Sequence, residues 1–308
     1  MNNILHDNNF KKTILEKAEK LYESFYDITN FDNTDQTKLD KKEKNGEVLT
    51  PLSLVYEMLE KIPFNIWQKH NFKWLDPVVG DGHFPVMIYL ILLETLPFTE
   101  KLPTKKEKIV HIIKNMIFMV DNNGDNIERT RKIFSLLLQN ESAGINILCK
   151  DFLTAKLHDD FNVENFDVIV MNPPYNLDGI KSKGQKNVWV YFSIKAFTIL
   201  KTSGYFLAIH PSSWRINNYK PWGTKENINK LYCSRKILHI SMYSIWQTYQ
   251  LMGVQINLDY LLIKNSKPTI IQSNDNYMQQ LCNSENIYGE RKQIKISDQF
   301  VICNFGHD

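Results

Sequence analysis

The chain has 308 residues, 43% of them hydrophobic and 23% charged, with 37 Lys and Arg against 34 Asp and Glu for a formal net charge of +3. That much apolar material excludes a disordered, collagen-like or disulfide-stapled protein and predicts one or two domains with buried cores. So small a basic excess selects no partner class, because it is also common in proteins that never meet nucleic acid.

From the N-terminus, Ile14, Ala18, Leu21, Tyr22 and Phe25 recur at helical spacing, and a polar stretch ending in Asp40-Lys-Lys-Glu-Lys-Asn-Gly46 follows. The pattern predicts a helical arm and then a solvated linker over residues 1–46. Leu52 to Ile62 reads as a helix, with Thr50 placed to cap it and Pro51 in its first turn. Phe72 to Leu75 reads as a short buried strand, followed by a glycine loop and an apolar helix from Val86 to Leu96. Further strands are expected at Met116–Val120, Ile145–Cys149, Phe166–Met171 and Gly204–His210, with helices near Asn126–Leu138 and Val188–Leu200. Beyond Pro211 only Val254 to Ile263 is strand-like, and no internal repeat is visible. Alternating apolar strands and helices predict a parallel sheet covered by helices on both faces, with a ligand site at the carboxyl ends of its strands.

The four cysteines, Cys149, Cys233, Cys282 and Cys303, form no CxxC pair, so neither a metal site nor a disulfide framework is expected. The N-terminus lacks a basic flank before an apolar core, and the most apolar run, Val86 to Leu93, is too short to span a bilayer. A soluble, intracellular protein with no membrane partner is expected.

The residues that carry chemistry stand at the expected strand ends. Asp76-Pro-Val-Val-Gly80-Asp-Gly82-His-Phe84 places glycines between a strand and a helix, where backbone can approach a ligand and the helix amino terminus favours negative charge. Asp121 follows the second strand, where nucleoside-binding folds put a carboxylate on ribose hydroxyls, and Asp151-Phe152 follows the third, where an acid can accept from an adenine amino group. Three acids at three successive strand ends outline a nucleoside site. Asn172-Pro-Pro-Tyr175 follows the fourth strand directly, and its two prolines force an extended, rigid turn that cannot continue a ladder.

Taken in order, Val48-Leu-Thr-Pro51, Asp76 to Gly82, Asp121, Asp151-Phe152 and Asn172-Pro-Pro-Tyr175 resemble the S-adenosylmethionine-dependent adenine-N6 DNA methyltransferases, in the gamma order of motifs. The resemblance covers roughly residues 47 to 215 and weakens toward 265. The chain departs from the family's usual loop at Val78 and Val79, where small residues are common, and at His83, where Asn is frequent. The resemblance implies a Rossmann-like methyltransferase fold, a mostly parallel sheet of the seven-stranded type with helices on both faces, plus a C-terminal target-recognition region. Residues 47–215 would form the catalytic domain, and residues 216–308 would complete the sheet and contribute to DNA recognition.

The cofactor implied is S-adenosylmethionine, held by Thr50, Pro51, Asp76, Pro77, Gly80, Gly82 and Phe84 near the first strand, by Asp121 and Asn122 after the second, and by Asp151, Phe152 and Asn172 beyond. Asn172 and Pro173 would accept hydrogen bonds from the adenine amino group, with Pro174 fixing the turn and Tyr175 stacking on a base flipped out of double-stranded DNA. A second stacking aromatic is expected upstream of Gly253, with Trp246 and Tyr249 both suitably placed. Lys181 and Lys183 in the loop after the catalytic turn, and Arg215 beyond Pro211, are the candidate DNA contacts. A cognate restriction endonuclease is the implied partner. Methylation of a protein glutamine amide or of an exocyclic amine of RNA remains the rival reading, because the same Asn-Pro-Pro-Tyr turn serves those reactions.

Overall fold

The expected N-terminal helix outruns its apolar stripe: α1 spans Asn8–Thr29. In the computed structural model, residues 3–29, 48–139, 143–175, 187–215, 227–267 and 292–295 are described, so the expected linker after α1 lies outside them. Ile14, Ala18, Tyr22 and Phe25 are buried, one helical face of α1 turned inward. The chain divides into two units, Met1–Met171 and Asn172–Asp308, so the boundary expected near residue 215 falls inside the second.

In the first unit, β1 (Trp74–Asp76), β2 (Ile117–Asp121), β3 (Ile147–Cys149) and β4 (Phe166–Met171) lie in the order β3-β2-β1-β4. Every pairing among them is parallel. Every residue of β1, β2 and β4 is buried, as parallel strands covered on both faces require. The Asp167 carboxylate, within β4, accepts from the Lys73 N–H at 2.8 Å and ties the start of β4 to the start of β1. The helices of this unit are α2 (Leu52–Leu59), α3 (His83–Thr95), α4 (Lys105–His111), α5 (Gly124–Leu137) and α6 (Leu157–Phe161). The α3 helix is buried over most of its circumference, and α1 packs on α2, α3 and α5. The N-terminal helix is therefore part of the first unit's core rather than an arm.

The start of α2 corrects one expectation. Pro51, not Thr50, is the capping residue, with no side-chain cap. The extended backbone at Pro51 aims its own carbonyl at the helix, where it accepts from the N–H groups of Leu54 and Val55. That leaves Thr50 one residue too early to cap, and it is used elsewhere.

In the second unit, α7 (Val188–Ile199) leads to the long strand β5 (Leu200–Pro211), then α8 (Ile228–Cys233), β6 (Lys236–Tyr243), α9 (Ile245–Met252), β7 (Leu258–Lys264) and β8 (Lys292–Lys295). The order is β5-β7-β6-β8, and β7 runs antiparallel between β5 and β6. A buried polar chain crosses the core: the Tyr232 hydroxyl lies 2.8 Å from Ser193 Oγ and 3.0 Å from His210 Nε2, and Trp189 stacks on the His210 ring. Burial lowers the His210 pKa to about 4, so the ring is neutral in this dry network.

The two units differ in charge. The first carries 21 Lys and Arg against 26 Asp and Glu, the second 16 against 8, which together account for the 37 and 34 of the whole chain. Near-neutrality overall therefore conceals an acidic half and a basic half. Among the described residues no helix is long and apolar enough to cross a membrane, and no cluster of His, Cys, Asp and Glu is arranged to hold a metal.

Candidate active site

The glycine loop between β1 and α3 is fixed by its own backbone and by two acids. Asp76 ends β1, and one of its carboxylate oxygens accepts from the Val78 N–H at 3.1 Å. Its other oxygen, Oδ2, is buried and meets no donor among the described residues. Burial is the main cause that raises the Asp76 carboxyl to a pKa of about 8; the Asp121 charge adds to it and the Val78 contact opposes it. Asp121, at the end of β2, accepts from Gly80 N–H at 2.9 Å and from Asn123 N–H at 2.8 Å. The acid expected to face a ribose thus also holds the glycine loop.

Two features of the loop escaped the sequence motifs. Asp81 is buried and ion-paired to the buried Arg129 of α5, and its carbonyl accepts from the Tyr22 hydroxyl of α1 at 3.1 Å. Leaving either charge unpartnered there would be costly, which explains why an acid between the glycines comes with an arginine 48 residues on. His83 Nδ1 lies 2.7 Å from the Thr50 carbonyl, and since a carbonyl only accepts, that nitrogen carries the proton. His83 thereby links the Thr-Pro element to the glycine loop. The one signal in the sequence was His83 itself, beside Gly82.

The remaining cofactor candidates of this unit are placed unevenly. Pro77 and Phe84 are buried beside the loop, Asn122 is exposed beyond β2, and Asp151 is exposed where the chain leaves β3. Asp151 accepts from Leu153 N–H at 2.9 Å and begins the turn toward α6. With Lys150, Thr154, Ala155, Lys156, Asp159 and Asp160 it lines an open pocket. Phe152 is fully buried, so its ring belongs to the core rather than to an exposed stacking face.

In the second unit, Asn172 follows the last residue of β4, Pro173 is buried, and Pro174 is half-buried. Tyr175 is 7% exposed, its hydroxyl has no partner among the described residues, and burial holds its phenol far above the usual range. The Tyr175 carbonyl accepts from Val188 N–H at 3.2 Å, tying the Asn-Pro-Pro-Tyr turn to the start of α7. Trp246 and Tyr249, by contrast, are 64% and 52% exposed on α9. That helix is held by a reciprocal Ser244–Gln247 cap and by Thr248, whose hydroxyl lies within 3.0 Å of the carbonyls of Ile245, Val254 and Ile256. Lys181 and Lys183 lie outside the described residues. Arg215 is described, and its charge is already met: Nε lies 2.9 Å from the Asp259 carboxylate, which also accepts from Ser212 and Trp214. Asp259 is completely buried, and no motif in the sequence singled it out.

This arrangement of parallel strands, glycine loop and strand-end acids is that of the class I S-adenosylmethionine-dependent methyltransferases, and solved structures agree. A proposed class I S-adenosylmethionine-dependent methyltransferase from Listeria monocytogenes is 16% identical with a TM-score of 0.50, the match covering 86% of this chain and 71% of that one. A modification subunit of a proposed type I restriction enzyme from Vibrio vulnificus is 15% identical with a TM-score of 0.51, covering 93% of this chain and 60% of that one. The protein of the DrdV–DNA complex is 15% identical with a TM-score of 0.50, covering 95% of this chain but only 33% of that one. The chain thus spans a third to less than three quarters of the length of these proteins. Among curated proteins none matches.

Residues 52–246, more than half of the chain, match the Eco57I restriction-modification methylase. The chain belongs to that family, and S-adenosylmethionine is its cofactor.

Proposed function

We propose that the chain transfers a methyl group from S-adenosylmethionine to the N6 amino group of adenine in double-stranded DNA. The observation that carries this reading is Asn172-Pro-Pro-Tyr175 beginning at the residue after β4, the fourth strand of a parallel sheet whose other strand ends carry a glycine loop and three acids. The residues of the first unit suit the cofactor. The donorless Asp76 oxygen suits an ammonium group, and a Cβ added at Gly80 would meet nothing within 4 Å, leaving space for a ligand against the backbone. Asp121 would take ribose hydroxyls and Asp151 an adenine amino group.

When bound, the cofactor supplies an electrophilic methyl on a sulfonium leaving group. The chain's part is to make a poor nucleophile better. The Asn172 side-chain oxygen and the Pro173 carbonyl would each accept one hydrogen of the adenine amino group, drawing its lone pair out of conjugation with the ring. Two prolines hold both acceptors without cost at the moment of reaction. No strong base is needed before attack, because the proton can leave afterwards.

A base in a duplex must be flipped out to reach such a site, at a cost of roughly a few kcal/mol of unstacking. Tyr175 would have to be uncovered to stack on it, whereas Trp246 and Tyr249 already stand open. The basic excess of the second unit favours a polyanionic substrate over a peptide. A restriction endonuclease of the same system is the partner proposed.

The test is transfer from radiolabelled S-adenosylmethionine to duplex DNA, RNA and a protein extract in parallel, with Asn172→Ala as control. N6-methyladenine in DNA, absent with the variant, is the expected result. Label confined to protein or RNA would move the chain to the rival substrate class.

A further inference from the structure

Tyr22 lies in α1, ahead of the residues 52–246 that match the family. Its hydroxyl donates to the Asp81 carbonyl at 3.1 Å, and its ring meets His83 edge-on with 5.1 Å between centroids. The Asp81–Gly82 peptide is held from its other side too, because the Gly82 N–H donates to the Val79 carbonyl at 2.9 Å. His83 in turn donates to Thr50. One tyrosine from an N-terminal helix therefore touches two residues of the cofactor loop and, through His83, the Thr-Pro element.

The two loop glycines separate the loop's roles. Both have positive φ, but a Cβ added at Gly82 would stand 3.1 Å from Thr130 Oγ1 and 3.5 Å from the Tyr22 hydroxyl, whereas one added at Gly80 would meet nothing within 4 Å. Gly82 is glycine in part so that α1 and α5 can close on it. Gly80 leaves space within 4 Å that no atom of the described residues fills.

We propose that Tyr22 is a positioning residue for S-adenosylmethionine, holding the Asp81–Gly82–His83 backbone in the shape the cofactor needs and making α1 part of the cofactor site. This rests on the cofactor assignment above. The effect runs through preorganisation: apparent affinity falls by the fraction of chains whose loop is competent to bind. Tyr22→Phe keeps the ring, its burial and its contact with His83, and removes only the hydrogen bond.

The experiment is calorimetric binding of S-adenosylhomocysteine and S-adenosylmethionine to the full chain and to Tyr22→Phe, with thermal unfolding of both in the absence of ligand. The expected result is an affinity about three- to tenfold weaker in the variant, the size of one net hydrogen bond, with both chains folded at the temperature of the binding measurement. A lowered melting temperature with unchanged affinity would mean that Tyr22 serves folding alone and would overturn the proposal. Absence of binding by the unaltered chain would overturn the cofactor assignment and the proposal with it.

Discussion

The first unit places a glycine loop and mostly buried acids at its strand ends, whereas the second joins a largely buried Asn-Pro-Pro-Tyr turn to two exposed aromatics on a basic polypeptide. Asp76, Asp81 and Asp121 are all buried, and each spends at least one oxygen on its own loops or on Arg129. Among the described residues of the second unit the one acid is Asp259, buried, hydrogen-bonded by Ser212 and Trp214 and ion-paired with Arg215, against ten lysines and arginines. A small ligand with a cationic group and hydroxyls suits the first arrangement, because fixed acceptors in a dry site discriminate strongly. A long polyanion suits the second, where many weak phosphate contacts add and unstacked bases find aromatic faces. Cofactor and substrate should therefore respond to different mutations.

The sharpest break in that comparison is Asn172→Ala. Losing one fixed acceptor of the amino group is expected to lower methyl transfer by about a hundred- to a thousandfold, by analogy with removal of one preorganised hydrogen-bonding group from an active site. Cofactor affinity, measured by calorimetry, should fall far less than transfer does, because most of the residues proposed to hold the cofactor lie in the first unit. Next in size is Arg129→Met, which leaves Asp81 buried without its counter-charge. Unfolding in denaturant should show about 3–5 kcal/mol of lost stability, the usual consequence of removing one partner of a buried pair. A loss under about 1 kcal/mol would mean that the pair behaves as an exposed one.

The sequence made the two halves legible to different degrees, for physical reasons. Strands β2 and β4 stood out because parallel strands buried on both faces are continuous apolar runs, and β4 is found at the very residues anticipated. Strand β6 was missed: Lys236-Ile-Leu-His-Ile-Ser-Met-Tyr243 interleaves polar and apolar residues, and its buried His239 and Ser241 meet each other at 3.0 Å inside the unit. Helix α9 was equally hidden, since its exposed Ile245, Trp246 and Tyr249 give no apolar stripe facing a core. At the site, glycines and strand-end acids could be read as motifs because each acts at its own position. Partners far apart in sequence could not: Tyr22 with Asp81, Asp81 with Arg129, and Asp259 with Arg215 are pairings that only the fold creates.

Asp76 turns the acidic half into a pH prediction. Its carboxyl is raised from 3.8 to about 8, so the ligand-free fold prefers the neutral acid. The stability this group contributes is present at low pH and is lost as pH climbs through about 8. An ammonium group seated on its donorless oxygen reverses the preference, so binding near neutral pH must expel a proton. Calorimetry in two buffers of different ionisation enthalpy should find a proton released per cofactor bound at pH 7, and affinity should rise toward pH 8. Asp76→Asn should abolish the release, weaken binding by about ten- to a hundredfold, and stabilise the ligand-free chain at high pH. Binding without proton release in the unaltered chain would place the ammonium elsewhere.

The smallest effect probes the basic half alone. Helix α9 spans Ile245–Met252 and is closed by a reciprocal Ser244–Gln247 cap, while Thr248 pins its buried side. A helix this short has little propensity of its own and depends on such caps. Ser244→Ala should cost about 1 kcal/mol, paid locally as fraying of the first turn, where Trp246 sits. If α9 presents an aromatic face to DNA, duplex affinity should fall severalfold while S-adenosylhomocysteine binding stays unchanged. Parallel loss of both would mean that the second unit supports the cofactor site as well, and the division of labour between the halves would have to be given up.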